Sequence, residues 1–221
     1  MNNWLGFLLC FIYIFSIIGV AELLRRQRGY SSDFTRKVIH IGVGMLSWAL
    51  HFLFDTPWFF IAAAVLFMII NFLDWRFGLI KSMASTDQSN LGTVYFPLAA
   101  AVVALLLWQQ PPLMVAALMP LTWGDGLAPV IGKRWGKRPY TIHTSHRTLE
   151  GSAGFAAAAF LFTWLALWFI GGNPAIAPVA ALLPALVIAL ATTAVEAISI
   201  WGLDNLTITA VALVIISIWT F

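Results

Sequence analysis

Apolar runs of membrane-spanning length recur along the whole 221-residue chain. A helix needs about 20 apolar residues to cross the roughly 30 Å of bilayer hydrocarbon. Lipid offers no partner for an unpaired backbone N–H or C=O, so runs of this length are predicted to be helices. The runs cover about residues 4–24, 35–54, 57–74, 91–108, 112–132, 151–171, 178–200 and 205–221. We therefore predict an all-α, polytopic integral membrane bundle of about eight transmembrane helices, with seven as the alternative, and one domain over residues 1–221.

Composition supports this class, because 61% of the residues are hydrophobic and only 10% are charged. Soluble domains carry roughly 25% charged residues. The single cysteine, Cys10, excludes a disulfide framework and a cysteine metal site. The first apolar run follows almost no positive charge and has no small-residue cleavage site, so we expect a retained span rather than a signal peptide.

Every Lys and Arg falls between runs 1 and 2, 3 and 4, or 5 and 6. These twelve residues are Arg25, Arg26, Arg28, Arg36, Lys37, Arg76, Lys81, Lys133, Arg134, Lys137, Arg138 and Arg147. In an eight-helix topology all twelve lie on one side of the membrane, which the positive-inside rule makes cytoplasmic. Both termini are then predicted outside. We see no nucleic-acid motif and expect no nucleic-acid partner.

Eight of the nine acids lie at or near the predicted cytoplasmic ends of spans, and only Asp55 is external. The eight are Glu22, Asp33, Asp74, Asp87, Asp125, Glu150, Glu196 and Asp204. An acid in or beside a span is costly, and it usually faces the bundle interior with a partner or a cation. For each acid alone, pairing with a local Arg or Lys at the interface is an equal alternative. As a set, they predict a polar site at one depth.

Residues 123–152, WGDGLAPVIGKRWGKRPYTIHTSHRTLEGS, combine an acid inside an apolar run with the most basic part of the chain. Small residues recur every four positions, which favours close helix packing; they are Gly124, Ala128, Gly132 and Gly136. Pro120 and Pro129 break the run and free backbone carbonyls near Asp125. The segment is also consistent with a cradle for a Mg²⁺-bound polyphosphate, since Mg²⁺ bridges carboxylates and phosphates.

Five sequence motifs together resemble those of a known family. The chain has G-D-x-x-A-x-x-x-G-K-R-x-G at 124–136 and R-T-x-E-G-S at 147–152. Three further segments occur in the order in which the family has them: RKVIH at 36–40, LGTVYFPLA at 91–99 and EAISIWGLDNLTI at 196–208. The set resembles the membrane CTP-dependent lipid kinase family, which includes dolichol kinase, phytol kinase and the yeast-type diacylglycerol kinase and is related to phosphatidate cytidylyltransferases. One departure is Arg147, where that family often has Lys.

The resemblance implies transfer of the γ-phosphate of CTP to a membrane lipid alcohol at the cytoplasmic face, with Mg²⁺ or another divalent cation. The alcohol would be a polyprenol, a phytol-like alcohol or diacylglycerol. The implied catalytic residues are Asp125, Glu150 and Asp204, and the implied metal ligands are Asp125, Glu150 and Glu196. The implied nucleotide-binding residues are Gly124, Gly132, Lys133, Arg134, Gly136, Arg147, Thr148 and Asn205. Further candidates are Asn71, Asp74, Arg36, Lys37 and His40.

Several alternatives stay open from the residues. Asp125, Asp204 and His40 are unranked candidates for the base that accepts the hydroxyl proton. For His40 we favour the alternative, an interfacial histidine bonded to a neighbouring helix. His143 and His146 have no assigned role. The alternative functions are a cytidylyltransferase that makes a CDP-lipid from phosphatidate, and a transporter with Pro-broken helices. The lipid, the nucleotide base and the oligomeric state are not determined by these residues.

The sequence predicts that Asp125→Asn and Glu150→Gln each abolish turnover while expression and folding stay intact, because each removes a charge assigned to the site. Turnover by the purified variants, beside their size-exclusion profiles, measures this. Full activity in either variant would remove that residue from the catalytic set.

Overall fold

In a computed structural model, residues 2–83, 90–142, 145–200 and 202–221 are described. Asp87 and His143 lie outside this part of the chain. The described residues are mostly helical, and five helical segments are long and apolar enough to cross a membrane. The predicted all-α membrane bundle is confirmed.

The N-terminal half contains four crossings. They are α1 (Asn3–Arg28), a broken crossing made of α2 (Ser32–Gly44), a 3₁₀ segment (Met45–Ala49) and α3 (Leu50–Leu53), then α4 (Pro57–Phe77) and α5 (Gly92–Leu107). A short 3₁₀ turn, Lys81–Met83, lies between α4 and α5. Gly29 and Gly78 end α1 and α4 in the left-handed conformation that glycine adopts without strain.

The C-terminal half begins with a continuous crossing of three parts. These are α6 (Pro111–Met119), a π-helical segment (Pro120–Asp125) and α7 (Gly126–Trp135). A hairpin of β1 (Pro139–Ile142) and β2 (Ser145–Thr148) follows, where the sequence had indicated only a basic loop. Three helices complete the chain, α8 (Leu149–Phe169), α9 (Leu182–Ile198) and α10 (Asp204–Ile218). In the described residues these eight helical segments correspond to the eight predicted apolar runs, and five of them are long and apolar enough to span a membrane.

All twelve Lys and Arg lie at one end of the bundle, which we call the charged end. It is the end where α1, α4, α7 and α9 finish and where α2, α5, α8 and α10 begin. Because consecutive crossings run in opposite directions, every second connection between them lies at this end. The predicted clustering of charge therefore holds in three dimensions.

The α6–α7 crossing is the most enclosed, with 72% of its apolar window buried against 17% for α1. Its small residues allow this, because a Cβ on Gly124 would lie 2.9 Å from the Phe155 ring and one on Gly151 would lie 2.9 Å from the backbone oxygen of Ala128. The four-residue ridge is thus packed against α8, as its spacing predicts. The consequence is that Asp125, which ends the π-helical segment, is held inside the bundle.

Candidate active site

The π-helical turn at Pro120–Asp125 opens the backbone at the buried acid. Such turns are rare and often occur at functional sites. The carbonyl of Leu121 accepts a hydrogen bond from His40 Nε2 on α2 at 2.8 Å. The turn therefore joins the α6–α7 crossing to α2 beside Asp125.

Asp125 is 6% exposed and is held by two basic side chains of α2. Lys37 Nζ lies 2.7 Å from Asp125 Oδ2, and His40 Nε2 lies 3.3 Å from the same oxygen. Lys37 and His40 are three residues apart, so they share one face of α2. A charge buried in a helical bundle requires such partners. The RKVIH motif thus supplies the partners of the buried acid.

The position of His40 restricts its role. Both groups that face His40 Nε2, the Leu121 carbonyl and the Asp125 carboxylate, are acceptors, so this nitrogen carries the proton and donates. The ring packs edge-on against Phe96 of α5, with the centroids 4.6 Å apart. Through Nε2, His40 cannot accept a proton from a substrate, and its contacts instead orient Asp125.

The first turn of α10 forms the opposite side of the site. Asp204 Oδ1 accepts the backbone N–H and the side-chain amide of Asn205, both at 2.9 Å. Asn205 is 5% exposed, and its Oδ1 is buried without a hydrogen-bond partner. Gly202, at a φ of 80°, permits close approach to Gly92 at the start of α5. An unsatisfied buried acceptor of this kind fits a cation or a donor group on a ligand.

The charges of the site form one electrostatic group. Asp125 interacts with Lys37 and Arg147, and Asp204 interacts with Asp125 and with the same two cations. Glu196 of α9 belongs to the same group. Of the eight acids predicted to form one polar site, these three, from three different crossings, interact with one another.

Arg147 fixes the hairpin to the end of α9. Its Nη1 pairs with Glu196, which is 2% exposed, and its Nη2 donates to the Ser199 carbonyl at 3.0 Å. Ser145 Oγ donates to the same carbonyl at 3.1 Å, and the Ser199 hydroxyl meets Thr207 of α10 at 2.9 Å. Arg147 thus connects the hairpin, α9 and the start of α10, a different contact from the phosphate that the resemblance implied.

Three other candidates make contacts away from the buried acid. Glu150 Oε2 accepts the backbone N–H groups of Lys137 and Arg138, at 3.0 and 3.2 Å, and so closes the turn before the hairpin. Lys133 pairs with Asp33 at 2.6 Å on the surface. Arg134 lies 5.3 Å from the ring centroid of Trp135. Within the described ranges, no three His, Cys, Asp or Glu form a metal-binding group, so Asp125, Glu150 and Glu196 are not assembled as one.

The remaining candidates divide between structural contacts and the site. Thr148 caps α8 by accepting the Gly151 N–H at 3.0 Å, and Gly132 and Gly136 pack against Thr148. Asp74 accepts the Ile80 N–H at 2.5 Å and so shapes the turn after α4. Asn71, one turn earlier, donates to the Thr93 carbonyl at 2.7 Å and faces the site.

A cavity runs from the charged end into the apolar interior between α1, α2, α4, α5 and α6. Its polar mouth is lined by Arg36, Lys37, His40, Asn71, Asn90, Thr93, Asp125, Asp204 and Asn205. Its deep part is lined by apolar side chains that include Cys10, Ile14, Phe60, Ala63, Ala64 and Phe67. This cavity was not predicted, although the small residues Ala63 and Ala64 were the available signal.

Comparison with known proteins finds relatives that are named as kinases. The phytol kinase of Synechocystis sp. is 29% identical over 93% of this chain and 87% of its own length. The probable chloroplastic phytol kinase of Triticum aestivum is 25% identical over 88% of this chain and 70% of its own. The resemblance to the membrane lipid kinases is confirmed.

A third relative extends the range of names within the family. The chloroplastic farnesol kinase of Arabidopsis thaliana is 30% identical over 68% of this chain and 52% of its own length, so this chain spans about half of it. No protein-family model matches the chain, and no solved structure matches it. The relatives are named as kinases of different prenyl alcohols. The cavity is the part of the site where such alcohols could be told apart.

The pair between Arg147 and Glu196 predicts a stability difference. Glu196→Leu leaves the Arg147 guanidinium without its carboxylate, and we expect a loss of about 3–5 kcal/mol in the free energy of unfolding. Arg147→Met combined with Glu196→Leu removes both charges and should recover most of that loss. Unfolding in mixed detergent, followed by circular dichroism, measures all three proteins.

The matched control is Lys133→Met, which breaks the exposed pair with Asp33 and should cost about 1 kcal/mol or less. An equal loss in Glu196→Leu and Lys133→Met, or no recovery in the double variant, would contradict the anchoring role of Arg147.

Proposed function

We propose that the protein is a kinase that transfers the γ-phosphate of CTP to a prenyl-type lipid alcohol at the charged end of the bundle. The observation that carries the proposal is the cavity, which is apolar in its depth and ends at Asp125, Lys37 and Asp204 in its mouth. A lipid alcohol has the same two parts, an apolar chain and one hydroxyl. The names of the relatives support a prenyl alcohol as the acceptor.

In this proposal the hydroxyl of the acceptor lies at Asp125. The carboxylate is at the boundary between the two parts of the cavity, and Lys37 Nζ, 2.7 Å from Asp125 Oδ2, orients it. Asp125 accepts the hydroxyl proton as the oxygen attacks, because its carboxylate lies at that boundary, within reach of the hydroxyl. His40 acts as a positioning residue through its bonds to Asp125 and Leu121.

The nucleotide phosphates occupy the mouth, where Arg36 and Lys37 neutralise their charge. Phosphoryl transfer depends on in-line positioning and charge neutralisation more than on covalent chemistry. The choice of CTP follows from the motif resemblance. We place the mouth on the cytoplasmic side, because all twelve Lys and Arg lie at that end.

The oxygen groups of the mouth fit Mg²⁺. Mg²⁺ in such sites takes one or two carboxylates, with phosphates and waters as its remaining ligands. Asp204 would hold it together with the unpartnered Asn205 Oδ1, and Asp125 lies in the same electrostatic group. When bound, the cation would neutralise the transferred phosphate. Glu150 and Glu196 are not needed in this set, since their carboxylates hold backbone amides and Arg147.

The experiment uses purified protein in lipid nanodiscs, with Mg²⁺, prenyl alcohols, diacylglycerol and phosphatidate. CTP is supplied with the label at the γ or the α phosphate, and unlabelled ATP, GTP or UTP competes in parallel reactions. We expect the γ label alone to enter a prenyl alcohol, and CTP to be the preferred donor.

Asp33→Asn is the matched control for loss of an acid, because Asp33 pairs with Lys133 outside the cavity; it should keep most of the turnover that Asp125→Asn loses. Incorporation of the α label would make the protein a cytidylyltransferase. Incorporation of neither label by folded protein would contradict an enzymatic role and favour transport.

A further inference from the structure

We infer that Phe60 forms the floor of the cavity and limits the acceptor to a chain of about three to four prenyl units. The inference rests on the proposed function, because it assumes that the chain of the acceptor occupies the deep part. It adds a specificity-determining residue that lies far from the reacting groups.

The walls below Asp125 suit a hydrocarbon chain. Among the described residues that line the cavity, none on α1 or on α4 below Asn71 is charged. The hydroxyls of Ser47 and Thr122 are the polar side-chain groups that the lining contributes below the mouth. A prenyl chain that leaves the bilayer for this space therefore stays in apolar surroundings, and the shape of the walls sets the length that fits.

The depth of the cavity can be measured along α4. Asn71 lines the mouth and Phe60 is the deepest lining residue on this helix. At 1.5 Å per residue, the two are about 16 Å apart along the axis. An extended carbon chain advances roughly 1.25 Å per bond, so this length holds about three prenyl units of four main-chain carbons each, with part of a fourth.

The floor is rigidly supported. Phe60 is 9% exposed and lies one turn from the start of α4 at Pro57. Its ring is 6.5 Å from that of Phe54, which is 1% exposed and belongs to the same core cluster. A longer chain would have to displace both rings or stay outside the cavity at its polar end.

Ala64 lies one helical turn above the floor and lines the cavity with a methyl group. A larger side chain at this position would raise the floor by about 6 Å, close to the length of one prenyl unit. Ala62, two residues earlier on the same helix, is exposed on the outer surface and does not line the cavity. Leucine at position 62 or 64 therefore adds the same atoms in two different places.

The test is the acceptor-length profile of kcat/KM for prenyl alcohols of two to six units, measured in nanodiscs. The native protein should be most active with three or four units. Ala64→Leu should lower activity with four units at least tenfold while keeping activity with two. Phe60→Ala should raise activity with five units at least tenfold relative to three, because lost or added methylene contacts change discrimination on this scale.

A second readout does not depend on phosphorylation. The protection of each protein against thermal unfolding by each alcohol should follow the same length order. Protection that shifts with the variants, without any phosphorylation, would reject the proposed function and support the floor. The native protein, both cavity variants and Ala62→Leu could instead all phosphorylate with the same length profile. That result would reject Phe60 as the residue that limits chain length and would leave the proposed function standing. An equal shift in Ala62→Leu would also overturn it.

Discussion

A carboxylate buried in the interior of a membrane bundle is the constraint on which the rest of this structure depends. Asp125 is 6% exposed, and a charge in that position is stable only with close partners. Lys37 and His40 supply them from one face of α2. The π-helical turn beside Asp125 gives His40 a carbonyl to bind. These contacts fix α2 against the α6–α7 crossing, and the cavity lies beside the contact.

The same contact divides the cavity into two environments. Towards the charged end, Asp204 and Asn205 provide oxygen groups, and an amide oxygen of Asn205 has no partner. Away from it, the walls down to Phe60 are apolar apart from the hydroxyls of Ser47 and Thr122. A reaction between a soluble phosphate donor and a lipid hydroxyl needs this arrangement, because the two substrates come from different phases. The proposed kinase activity follows from the division together with the named relatives.

The helical segments, the charged end and the burial of Asp125 were predictable, because length, charge and a costly buried acid are local properties of the sequence. The partners were not, since they depend on which helices meet. Glu150 binds the backbone N–H groups of Lys137 and Arg138 on the other side of the hairpin, and Arg147 binds Glu196 from 49 positions away. The cavity escaped prediction for a related reason. Ala64 looks like any small residue in an apolar run until α1 and α5 are packed around it.

The central claim is that a lipid alcohol lies in the cavity with its chain towards Phe60. It is tested most directly by photo-crosslinking a prenyl alcohol that carries a diazirine at the chain end, followed by mass spectrometry of the labelled peptides. The account predicts labels on the cavity faces of α1 and α4, near Cys10 and Phe60, that an unlabelled alcohol removes. Labels confined to outward-facing residues such as Ala62 and Leu66, unaffected by competition, would contradict it.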